Sequence, residues 1–159
     1  MPQKKCNYEM QVIRAMQASD LDEVVRIENL VFHSPWPQQA FMEAPYTYFW
    51  VICEDEVLQG YIIYHTVLDE GIILNFAIDP KFQHQGLGTR LLNETLKILI
   101  DSGIRTFFLD VRASNLIAQN LYKKFDFHPI GKRKNYYSEP IEDAIVMVKY
   151  IDEWYNKKL

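Results

Sequence analysis

The sequence predicts an α/β chain of the α+β type: a mixed, mostly antiparallel sheet of about seven strands, with helices on both faces and one parallel pair. Three observations point to it. Strand-like runs joined by short turns follow one another through residues 47–78. An apolar run at 72–80, IILNFAIDP, then opens into a glycine-bearing turn and an amphipathic helix. A further strand-like run returns after that helix, and a crossover of this length makes it a parallel neighbour.

Residues 10–15, MQVIRA, alternate apolar and polar and read as a first strand. Ser19 with Asp22 is expected to cap a helix over about 20–32, because Leu21, Val24, Val25, Ile27 and Leu30 recur at helical spacing. HSPWP at 33–37 breaks it, and Pro37 suits the first turn of a short helix to about Ala44. The 33–45 segment has two readings, a packed aromatic corner and a lid over a substrate groove. Strands are expected at 47–53, 57–68 and 71–78. The next helix, Gly86 to about Ser102, sets Leu87, Leu91, Thr95, Ile98 and Leu99 on one face, and Gly103 ends it. A strand at 105–112, a helix from a Ser114 cap to about Phe125, and strands near 127–134 and 142–151 complete the prediction.

The bulk properties narrow the class. A chain of 159 residues is expected to form one domain, spanning 1–159, with a real core. A net charge of −4 argues against nucleic-acid binding and suits a cationic partner. The two cysteines, Cys6 and Cys53, make no disulfide framework, and no run approaches membrane-spanning length, so a cytoplasmic protein is expected. The sequence leaves the oligomeric state open, with a monomer as one option.

The chemistry centres on residues 81–91, KFQHQGLGTRL. The first N–H groups of a helix lack intrahelical partners and sit at the positive end of its dipole, while glycines at 86 and 88 let a pyrophosphate approach the backbone. Two familiar nucleotide sites do not fit. No Lys-Ser/Thr follows the second glycine, and both the third glycine and the acidic ribose-binding residue of a dinucleotide site are missing. His84 has no second ligand at metal spacing and reads as a solvated turn residue, so no metal site is expected.

Gln83-His84-Gln85-Gly86-Leu87-Gly88 resembles the Gln/Arg-x-x-Gly-x-Gly/Ala signature of the GNAT acetyltransferases, and the order of elements matches that fold. LDVRASNLIAQNLY at 109–122, RKNYY at 133–137 and DAIVM at 143–147 resemble the RimI-type N-terminal acetyltransferases, over about residues 10–150. The resemblance implies acetyl-CoA as co-substrate and, as acceptor, the N-terminal alanine of a small-subunit ribosomal protein. It implies that the main chain of Phe76, Ala77 and Ile78 holds the pantetheine and thioester. It likewise implies that the turn of His84, Gln85, Gly86, Leu87, Gly88 and Thr89 holds the pyrophosphate. Asn115 matches a coenzyme-contacting asparagine, and is equally suited to cap a helix. Tyr122 matches the tyrosine that protonates the departing sulfur; packing on an amphipathic helix is its other reading. Tyr136 and Tyr137 match the segment beside the peptide groove.

Two positions depart from the family pattern. Asp110 stands where the RimI-type enzymes carry a glutamate base, one methylene longer, and is expected to act directly or through a water. Its other reading is a strand-end aspartate bonded to nearby groups. Asp126 replaces the glycine that ends the preceding helix. Within the same fold, a protein lysine, a polyamine or another small amine is the alternative acceptor, and a catalytically weak acyl-CoA-binding module is the alternative of another class. With no cysteine in the motif region, transfer is expected to be direct, in a ternary complex.

Overall fold

The computed structural model describes residues 10–42 and 44–151; Cys6 lies outside them. Seven strands form one sheet: β1 (Gln11–Ala15), β2 (Thr47–Glu54), β3 (Val57–Val67), β4 (Glu70–Ile78), β5 (Thr106–Arg112), β6 (His128–Tyr137) and β7 (Glu142–Tyr150). Their spatial order is β1-β2-β3-β4-β5-β7-β6, and β4–β5 is the parallel pair. The helices are α1 (Leu21–Val31), α2 (Leu87–Asp101) and α3 (Leu116–Lys124).

Alternation along the strands divides the core in two. Ile52, Ile62 and Tyr64 point to the face covered by α2 and α3, where Leu87, Leu91, Leu92, Leu96 and Tyr122 meet them. Val51, Tyr61 and Ile63 point to the other face, against Val24 and Ile27 of α1. The predicted face of α2 needs one correction. Ile98 is 41% exposed, while Leu92 and Leu96 are buried beside Leu91, Thr95 and Leu99, because the helix lies flat on the sheet and buries a wider stripe.

Three predicted helix ends also shift. A short 3-10 turn, Ala18–Asp20, precedes α1; Asp20, not Ser19, stands at the α1 N-cap, and its carboxylate closes the 3-10 turn by accepting from the Gln17 N–H at 2.7 Å. The helix expected to begin at Pro37 is a single 3-10 turn, Gln38–Phe41, with Pro37 as its cap. The α3 cap is Asn115, whose Oδ1 accepts from the Ala118 N–H at 3.1 Å; the Ser114 N–H instead bonds Glu142 at 2.6 Å.

What opens the sheet is the length of the β4–β5 ladder. It pairs Glu70 with Thr106 through Ile73 with Leu109 and stops. There β4 also breaks step with β3: Ile63 and Tyr64 face Asn75 and Ile73, so Leu74 is bulged out. From Asn75 onward β4 follows β3, while β5 follows β7, and the two strands part. Gly60 lets β3 stay close to β4 past the bulge. A Cβ there would lie 2.5 Å from Ile78 Cδ1 and 2.8 Å from the Ala77 carbonyl oxygen. The methyl of Ile78 can turn away, but the carbonyl cannot. Gly60→Ala is therefore expected to destabilise the fold by about 1–3 kcal/mol, read as a lower Tm in thermal unfolding.

Candidate active site

Where β4 and β5 part, the chain leaves a cavity of about 940 Å³. One wall is the free edge of β4, Asn75 to Ile78; the facing wall is Asp110 to Arg112 of β5 with Asn115, Leu121 and Tyr122 of α3. His84 and Gly86 to Thr89 stand on the rim, and Phe32, Trp36 and Tyr137 line the cavity as well. Of the residues singled out in the sequence, Gln85 and Tyr136 do not line it.

The turn is built as the glycine pattern requires. Asp79, fully buried, accepts from the Lys81 N–H at 3.0 Å and pairs with Arg26, and Gln83 Nε2 donates to the Ile78 carbonyl at 3.1 Å. His84 and Gly86 take left-handed backbone, φ 62° and 79°, and Gly86 caps α2. The first bond of α2 runs from the Arg90 N–H to the Gly86 carbonyl, so the N–H groups of Leu87, Gly88 and Thr89 precede it and face outward. Nothing lies within 4 Å of where a Cβ of Gly86 would stand. The cradle is open to a diphosphate, and the fit to a coenzyme pyrophosphate is good.

Asp79 fixes this cradle from below. Burial raises its carboxyl, but the Arg26 guanidinium and the Lys81 N–H outweigh that and hold it below the usual carboxylate range. With the folded value depressed, its stabilisation is present above the unfolded pKa of about 3.9 and is lost as pH falls through the folded one. Asp79→Asn should cost about 1.5–3 kcal/mol at neutral pH, and urea titrations should find the gap closing at acid pH.

Tyr122 is fixed by the end of its helix. The Phe127 N–H bonds the Tyr122 carbonyl at 3.1 Å and the Asp126 N–H bonds that of Lys123 at 3.1 Å, a Schellman end with Asp126 left-handed at φ 62°. Aspartate thus takes the conformation glycine would, and Lys149 Nζ adds a bond to the Phe125 carbonyl at 2.7 Å. The Tyr122 ring sits 5.7 Å from Phe127 and 6.4 Å from Phe76, centroid to centroid. Burial, with a smaller contribution from Tyr137, pushes its phenol well above the ordinary value. Among the described residues its hydroxyl has no hydrogen-bond partner. Packing and an available hydroxyl coexist in this side chain.

Asp110 is the first β5 residue past the parallel ladder. Its Oδ1 accepts from Arg133 Nε at 3.0 Å, an ion pair that crosses β7 to reach β6. Arg133 was not foreseen; a strand-period reading places it on the same face as Asp110 only once the order β5-β7-β6 is known. Arg112 was missed too. Its guanidinium lies 4.3 Å from the Tyr137 ring centroid and pairs with Glu142 at 3.3 Å, and Glu142 in turn accepts from the Ser114 N–H at 2.6 Å. This clamp ties the start of α3 to Tyr137. Burial first, then the charges of Asp110 and Tyr136, push the Tyr137 phenol up to about 12. Tyr136 packs edge-on against Tyr137 at 5.0 Å and lies on the outer side of the strand.

A third omission is Glu28 of α1. Only 1% exposed, its carboxylate accepts from the Tyr61 hydroxyl, from Asn75 Nδ2 at 2.8 Å and from the Trp36 N–H at 2.8 Å. Asn75 Oδ1 accepts from the Phe76 N–H at 3.0 Å, capping the free edge of β4. The 33–41 segment is both a packed corner and a groove wall, with Phe41 edge-on to Tyr61 at 5.9 Å. Among the described residues no cluster of His, Cys, Asp or Glu could hold a metal ion, and no helix is long and apolar enough to cross a membrane.

Strands parted around a slot, an anion-binding helix start on the rim, and a phenol and a carboxylate facing the slot define an enzyme that transfers a group from a diphosphate-bearing donor. Comparison with known proteins agrees and is more specific. Residues 15–127 match the acetyltransferase (GNAT) family. A Bacillus subtilis (strain 168) protein provisionally named a ribosomal protein bS18-alanine N-acetyltransferase is 40% identical, across 89% of this chain and 96% of its own. The Haemophilus ducreyi ribosomal protein bS18-alanine N-acetyltransferase is 34% identical, across 88% and 100%. The crystal structure of the ribosomal-protein-S18-alanine N-acetyltransferase from Escherichia coli superposes with a TM-score of 0.85 at 33% identity, covering 90% of this chain and 95% of that one. The chain belongs to the GNAT acetyltransferase family.

Proposed function

We propose that this protein transfers the acetyl group of acetyl-CoA to the N-terminal amine of ribosomal protein bS18, at a terminal alanine, by direct attack in a ternary complex. The observation that carries the reading is the placement of Asp110 and Tyr122 on one groove, at the point where β4 and β5 part, with the glycine turn on its rim. The names of relatives 34–40% identical over most of their length supply the acceptor.

In this scheme the Leu87, Gly88 and Thr89 N–H groups hold the pyrophosphate, and the free edge of β4 from Phe76 to Ile78 carries the pantetheine arm. The acceptor nitrogen attacks the thioester carbon and a C–N bond forms. A backbone donor of β4 beyond Phe76, whose own N–H is bonded to Asn75, holds the negative oxygen. The nitrogen's proton passes to Asp110, directly or through one water, and is returned to solvent. The C–S bond then breaks, and the sulfur takes the Tyr122 hydroxyl proton, which solvent replaces. Burial that raises the Tyr122 phenol also raises a thiolate leaving beside it, which narrows the gap between donor and acceptor. Cys53 offers no covalent route: it lies in the α1-side core, and burial pushes its thiol up. Acting on a ribosomal protein, the enzyme would work in the cytoplasm.

An N-terminal amine, with a pKa near 8, is partly neutral at cellular pH, whereas a lysine near 10.4 is almost wholly protonated. The first acceptor needs less help from a base, which suits a site whose carboxylate is already paired with Arg133. The test is a thiol-release assay with acetyl-CoA and a peptide carrying the bS18 N-terminal sequence, against lysine and polyamine panels. Mass spectrometry should find one acetyl group on the terminal amine. Turnover on lysine or polyamine alone would replace this acceptor, and coenzyme binding with no turnover on any amine would replace the enzyme with a binding module.

A further inference from the structure

The carboxylates around the groove differ in how their charge is met. Asp110 faces Arg133, Asp79 faces Arg26, and Glu142 faces Arg112. Glu28 has no cation: among the described residues its partners are a phenol, a carboxamide and a backbone N–H. All three donate, the pattern that suits an ionised carboxylate. They satisfy its lone pairs without cancelling its charge, and a net charge in an apolar core is normally retained only with a counter-charge. Glu28 borders the same cavity as Asp110, Tyr122 and Tyr137.

We propose that Glu28 is an acceptor-selecting residue of the groove, an uncompensated anion whose counter-charge is the protonated amine of the incoming N-terminus. It rests on the reading of this groove as an amine acetylation site. Glu28 acts by its field and not by contact, since it is 1% exposed and lies behind Asn75 and Trp36. In a groove walled by protein, a charge buried in the wall is weakly screened. It draws in an ammonium and disfavours a neutral or anionic terminus. The proton is then removed on the Asp110 side, so attraction and deprotonation are divided between two carboxylates, one without a cation and one with.

The test compares binding of two peptides with the same sequence, one bearing the free α-amine and one in which hydrogen replaces it. In the wild-type protein with coenzyme A bound, calorimetry should find the amine form at least about 10-fold tighter at pH 6.5. In Glu28→Gln, that preference should shrink to about 2-fold or less, with acetyl-CoA KM unchanged. Tyr61→Phe, which removes one donor and keeps the charge, should retain the preference. A purely structural Glu28 would weaken both peptides alike, and that result overturns the proposal. So does a wild-type protein with no preference, an outcome that does not depend on whether Glu28→Gln folds. Failure of the function reading is separate: it appears as absence of acetyl transfer to the amine peptide in the wild type.

Discussion

Tyr122→Phe is expected to lower kcat about 10²–10⁴-fold while leaving thermal stability and acetyl-CoA KM nearly unchanged. The ring makes the packing contacts, against Phe76 and Phe127, and phenylalanine keeps them. The hydroxyl makes no protein hydrogen bond among the described residues, so its loss orphans nothing. What disappears is the proton that meets the thiolate as the C–S bond breaks. Because the contribution arises after the donor is bound, it should fall on kcat and not on KM. A poorer leaving group makes the loss larger, and a more acidic thiol in a synthetic acetyl donor should restore part of the rate. Rapid-quench turnover with both donors measures this. Wild-type turnover by Tyr122→Phe with acetyl-CoA would remove the residue from the chemistry and leave it a packing tyrosine.

How much of this was legible in the sequence depends on the range of the interaction involved. The glycine turn, the α2 start and the parallel return strand are local signals, and each appears where the sequence places it. The mixed sheet follows from the same signals plus chain handedness. Helix caps were less legible: Ser19 suits a cap by type, yet Asp20 takes that position, and of Ser114 and Asn115, which both suit the α3 cap, it is Asn115 that fills it. Arg133, Arg112 and Glu28 could not be read at all. Asp110 meets Arg133 from 23 residues away and Glu28 meets Asn75 from 47, and neither pair has a spacing that marks it. A buried glutamate at a helical core position looks, in sequence, like an exposed one that happens to fall on the wrong face. The family resemblance named Asp110 and Tyr122 as partners of the substrate but not what holds them. The groove is therefore read in sequence as a set of reacting groups, and in the structure as those groups with their ties.

Asp110→Asn is expected to reduce kcat/KM with the bS18-type peptide about 10²-fold at pH 6.5 and much less at pH 9. The acceptor amine has a pKa near 8, so at high pH it arrives neutral and has less need of a base before attack. At low pH most of it is protonated, and a group in the site must take that proton. The sign is thus fixed by the substrate: the variant's deficit grows as pH falls. The substitution also frees Arg133, which now bonds Asp110 at 3.0 Å, and a rearranged guanidinium could itself disturb the groove. Arg133→Met separates the two effects. It removes the guanidinium and keeps the Asp110 carboxylate, so it should retain the kcat/KM at low pH that Asp110→Asn loses. Asp110→Glu, one methylene longer, should retain most activity. A pH–rate profile for Asp110→Asn parallel to that of the wild type would take the carboxylate out of the mechanism and leave it an anchor for β6.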